Sequence, residues 1–138
     1  MTLGDVIARI QTQCPGFATV DHVLTSPSDF TRPAALITPV RYRGDAPRIN
    51  TPGGYSQDVA MIFGVFIVLE RRQDGTLDNG AADQFDTLLA ELRDALVNWA
   101  APDLYQPVAY AGGELAPYEP GNVTWRDDYS AEFDMRFT

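Results

Sequence analysis

A chain of 138 residues, 45% apolar and 21% charged, has the make-up of one folded domain with its own core, which excludes a disordered chain and makes a second domain unnecessary. Its formal charge of −9, with every one of its ten basic residues an Arg, excludes a surface that grips nucleic acid by neutralising phosphates. One cysteine excludes an internal disulfide. One histidine beside it leaves too few ligands for a metal site.

Leu3, Val6, Ile7 and Ile10 recur at helical spacing, so Thr2 to Gln13 is predicted as a short amphipathic helix. Thr2 is its cap, Asp5 the acidic first-turn partner, and Pro15-Gly16 its end. Val20 to Leu24 and Ala34 to Val40 follow as strand candidates, the second held to an edge by Pro33 and Pro39. From Arg41 to Asp58, prolines, glycines and three arginines break any apolar period, which predicts a long, mobile loop, either an assembly segment that orders against a partner or a solvated connection. Arg43-Gly44-Asp45 within it spells an adhesion tripeptide that is too short to carry meaning.

Val59 to Leu69 is an 11-residue apolar run, too short to span a membrane and apolar on both faces of a strand. Two helices are too few to cover both faces of its sheet, so the second cover must be the chain's own loops and a curled sheet, or a neighbouring copy. After a turn around Asp74-Gly75, Phe85, Leu88, Leu89, Leu92, Leu96 and Trp99 form the stripe of a second helix, capped by Asp78 or Asn79 and stopped by Pro102. Pro107 to Glu119 and Val123 to Phe137 then read as a hairpin, with Gly112-Gly113 giving a bend or bulge and Glu119-Pro120-Gly121-Asn122 the turn. The order α-β-β-β-α-β-β implies one α+β domain over residues 1–138, a mainly antiparallel, twisted sheet of about four to five strands with both helices on one face.

Catalytic patterns are missing from this sequence. Asp127 and Asp128 point to opposite faces of their strand, and Glu132 lies about 13 Å along it from Asp128, so the cluster reads as a wet acidic face. Gly53-Gly54 and Gly112-Gly113 lack the spacing of a phosphate cradle. Cys14 and His22 are the sole conceivable nucleophile pair, and Cys14 reads as a small apolar residue at a helix end. The expectation is a protein without catalytic, cofactor-binding or metal-binding residues. The N-terminal residues lack a basic signal start, so synthesis in the cytoplasm is expected.

The short first helix, the Phe63-Gly64-Val65-Phe66-Ile67-Val68-Leu69 strand, the helix carrying Leu88 to Leu96 and ending at Trp99, and the tail Tyr110 to Leu115 and Trp125 to Ser130 together resemble the tail terminator proteins of long-tailed double-stranded DNA phages and of gene transfer agents. That resemblance spans nearly the whole chain. It implies a structural virion protein that forms a hexameric ring on the tail tube, stops tube polymerisation and offers a surface to a head-tail connector or stopper. DNA would pass the ring without specific binding, as an acidic channel favours. The resemblance places the protein in the particle's tail, after assembly in the host cytoplasm.

For contacts to neighbouring subunits or to the tube, Arg41, Arg43, Arg48 and Tyr55 are the candidates, followed by Arg71 and Arg72 beside a turn. A head-completion or neck protein of the same particles is the nearest alternative function. A small-molecule-binding α+β domain is the more distant one. It would need an acid in an apolar pocket, for which Asp127 is the one candidate, placed by the sequence near a strand end.

Overall fold

The computed structural model describes residues 1–23, 30–50, 54–70, 79–104, 106–116 and 122–137, excepting the side chains of 49–50, 79–81 and 136–137. The chain runs α1 (Leu3–Gln13), β1 (Thr19–His22), β2 (Ala34–Gly44), β3 (Arg48–Asn50), β4 (Gly54–Glu70), α2 (Asn79–Leu96), β5 (Ala109–Leu115) and β6 (Asn122–Phe137). The sheet order is β1-β2-β4-β6-β5, with short β3 pairing β4. β1 runs parallel to β2 and every other pairing is antiparallel. This is the α+β architecture that the sequence predicts.

The capping box opens α1 as expected. Thr2 Oγ1 accepts from the Asp5 amide at 3.2 Å, and Asp5 Oδ2 accepts from the Thr2 nitrogen at 2.8 Å. Val6 and Ile10 are fully buried in one core with Ala35 and Ile37 of β2, Met61, Phe63, Val65, Ile67 and Leu69 of β4, and Leu88, Leu92 and Leu96 of α2. Burial of those three leucines contributes about 5–9 kcal/mol as an upper bound. Both helices therefore cover one face.

The second helix ends earlier than Pro102. Its last residue is Leu96, and Asn98 adopts a left-handed φ of 65°, the conformation that terminates many helices. Asn98 then donates to the Val108 carbonyl at 2.7 Å, and Val108 donates to that of Trp99 at 2.9 Å, which leads the chain into β5.

The expected long loop over 41–58 is mostly strand, and the reason is register. β2 continues through Gly44 with Arg41, Tyr42, Arg43 and Gly44 paired to Ile62, Met61, Ala60 and Val59, after a bulge between Pro39 and Arg41. Arg48 to Asn50 pairs Ser56 to Gly54 in the same lane. Arg41 to Arg48 lack alternation because every side chain there is exposed, so the long β4 imposes the strand that their own pattern does not announce.

Across its other edge, β4 pairs β6 from Tyr55↔Phe137 to Glu70↔Asn122. With 17 residues in β4, this ribbon is about 55 Å long and outruns the helices. The sequence placed β2 at an edge. Its first half is instead internal, between β1 and β4, and only its second half is an edge. The turn residues 71–78 and 117–121 lie outside the described residues.

Candidate assembly surface

Asp127 is the largest departure from the sequence reading. It belongs to the middle of β6, opposite Val65, and is fully buried. Its Oδ1 accepts from Arg93 Nη2 at 3.1 Å, Trp125 Nε1 at 3.1 Å and the Tyr110 hydroxyl at 3.3 Å. Its Oδ2 accepts from the Tyr129 hydroxyl at 2.7 Å and Arg93 Nε at 3.1 Å. Burial pushes this carboxyl up, but the hydrogen bonds from Arg93, Tyr129 and Trp125 and the guanidinium charge outweigh it and hold the pKa below the usual carboxylate range.

The hydrogen bond to Asp127 in turn raises Arg93. Burial and the Asp127 bond push the Tyr129 hydroxyl far up. Five donors occupy both oxygens, and the acid is held ionised. Such a group ties β6 to α2 and offers no free lone pair or proton for acid-base chemistry, so the small-molecule reading loses its one candidate acid.

Glycines make this packing possible. A Cβ at Gly113 would lie 2.7 Å from Asp127 Oδ1 and 2.8 Å from Trp125 Cζ2, and the bulge beside Gly112, at φ 140°, brings β5 over the carboxylate. That bulge is the one Gly112-Gly113 predicted.

Among the described residues, the opposite face of the sheet carries no helix. Leu36, Ile62 and Phe66 are half-buried there, next to a polar ladder on β6. Arg126 stands 3.0 Å from Glu114 and 3.0 Å from Asp128. A Cβ at Gly64 would sit 2.9 Å from Asp128 Oδ1, so the missing side chain lets this ion-paired ladder lie across β4. Part of the second cover is therefore the protein's own. Asp128 and Glu132 share this face and Asp127 points to the other, both as the strand alternation predicts.

The candidate interface residues separate into different environments. Arg48 forms a bidentate pair with Asp58 at 2.9 and 3.0 Å and approaches Asp134 at 3.7 Å. Asp58 and Asp134 are directly opposite in the β4–β6 ladder, so Arg48 offsets the repulsion of two facing carboxylates and fastens β3 to the ribbon. The Tyr55 hydroxyl donates to Gln57 Oε1 at 2.6 Å, and Gln57 Nε2 donates to the Asp45 carbonyl at 2.7 Å, closing the corner after β2. Arg41 and Arg43 are exposed and hold no acid among the described residues. Val40 and Tyr42 beside them are 40% and 60% exposed. Arg71 and Arg72 lie outside the described residues.

Other places for chemistry are sparse. Cys14 is buried, and burial and then Glu91 push its thiol up to about 11, which disfavours the thiolate that a nucleophile needs. Among the described residues no three His, Cys, Asp or Glu side chains gather as a metal set, and no helix is long and apolar enough to cross a membrane. An open depression of about 300 Å³ beside α1 is lined by Arg9, Thr12 and Trp99, with Arg9 over the Trp99 ring at 5.4 Å.

The fold is thus an α+β domain whose buried carboxylate is fully hydrogen-bonded and whose long β4–β6 ribbon carries the exposed Arg41 and Arg43 on the neighbouring lane. The sequence model of the phage tail terminator protein family matches residues 1–138, and the chain belongs to that family. Its role is that of a structural component of a phage tail. No curated protein matches the chain.

Proposed function

We propose that this protein forms a ring, hexameric as the family resemblance implies, that caps the tail tube, stops its polymerisation and presents a surface for head-tail joining. The family match over the full 138 residues carries this reading. The protruding ribbon supports it. Arg41 and Arg43 lie exposed on one side of that ribbon, while Arg48 and Tyr55 shape the ribbon from within. The net charge of −9 suits a ring that DNA crosses without adhering. Partners are further copies of the chain, the tube protein and a head-tail connector or stopper, in a phage or a gene transfer agent, with assembly in the host cytoplasm.

The test is tube growth from purified tail-tube protein, observed by electron microscopy with and without this protein. Shorter tubes bearing one extra ring at an end are expected. Tubes of unchanged length with bare ends would overturn the proposal.

A further inference from the structure

Beyond the helices, the ribbon is three lanes wide, with β2 and β3 on one side, β4 in the middle and β6 on the other. Both outer lanes have free edges here. β1 pairs β2 only through Ile37, and β5 pairs β6 only from Ser130 backwards, so among the described residues nothing pairs the outer side of 38–44 or of 131–137. Unpaired edges are templates for another strand, and proteins commonly guard them with charge, proline or bulges. Pro39, the bulge after it and the two arginines guard the β2 edge.

The charges on the two edges differ in sign. Arg43 pairs Ala60, which pairs Glu132, so an exposed cation and an acid stand at one level of the ribbon, on the helix-free face, two strand spacings or about 10 Å apart. Arg41 stands one pleat away, on the same face. Neither arginine, nor Glu132, has an ion-pair partner among the described residues. The other face is apolar on both edges, with Tyr42 at 60% exposure on one and Phe133 and Met135 half-exposed on the other.

We infer that these two edges are the two halves of one subunit contact, in which Arg41 and Arg43 of one copy meet Glu132 of the next while Tyr42 packs on Phe133 and Met135. Edges of like sign repel and unlike edges attract, so the contact is head-to-tail. Head-to-tail contacts close into rings when the rotation between copies closes on itself, whereas two-fold contacts stop at a dimer. This inference rests on the ring reading above and assigns its contact to particular residues.

The experiment is charge reversal with the full chain, scored as end rings on tubes of tail-tube protein. Arg41→Glu with Arg43→Glu should weaken ring formation about a hundredfold, as like charges brought together across a contact do, and Glu132→Arg should also weaken it. An equimolar mixture of the two broken proteins should restore rings, because native and reversed contacts alternate around the circle. Circular dichroism of each variant checks its fold, and Arg41→Gln with Arg43→Gln replaces the double reversal if that unfolds. Normal rings from either folded variant, or a mixture that stays unassembled, would overturn this contact and leave the capping role standing. Failure of the native protein to form rings would remove both.

Discussion

The helix-covered half of the sheet and the protruding ribbon use the same side chains in opposite ways. In the covered half, Arg93 meets a fully buried Asp127 and every lone pair is taken. Along the ribbon, Arg41 and Arg43 extend into solvent without an acid among the described residues, in a chain with nearly twice as many acids as bases. A buried charge without its partner is costly, so the first pair governs folding. An exposed charge without a partner contributes little to folding, so the second pair is free to serve assembly.

The sharpest way to separate the two regions is to remove one arginine from the first. Arg93→Ala leaves Asp127 with only neutral donors and should cost about 3 kcal/mol, at the low end for a broken buried pair because the outer side of Arg93 is wet. Urea denaturation would read this as a lower midpoint at unchanged slope. The same pair gives the fold its acid sensitivity. Because the folded carboxyl is held below its usual range, the stability it contributes is present above about pH 5 and is lost as pH falls below about 4 towards the folded value. Asp127→Asn should flatten that part of the stability-pH curve.

Gly113→Ala should cost about 1–3 kcal/mol, since its methyl would press on Asp127 and Trp125. Thr2→Ala removes the α1 cap and should cost about 1 kcal/mol, with no effect at the ribbon. Smallest in stability is the ribbon change, Arg41→Ala with Arg43→Ala. Its midpoint should stay within about 0.5 kcal/mol of native while assembly falls.

Elements with a covered face were legible in the sequence. The α1 cap, the Leu88-Leu92-Leu96 stripe, the apolar β4 and the alternating β6 each carry a pattern because one side of each meets the core. The β2 extension and β3 carry none, since their register comes from β4 across the ribbon. Asp127 was placed on its correct face but among wet residues, because its partner is 34 residues away on a helix. One signal was present. An acid alternating with Trp125, Tyr129 and Phe133 on a core-facing side demands a cation, and Arg93 borders the apolar stripe of α2. Of the candidate arginines, Arg48 was visible by composition but its paired state was not, since Asp58 and Asp134 meet only once β4 and β6 are in register.

Ring yield on tail-tube ends for the Arg41→Ala, Arg43→Ala protein, in samples whose urea midpoint is native, bears most directly on this division of labour. Bare tube ends are expected from a fully folded protein. Full rings at native stability, or lost rings that merely track a lowered midpoint, would contradict the assignment of these arginines to assembly.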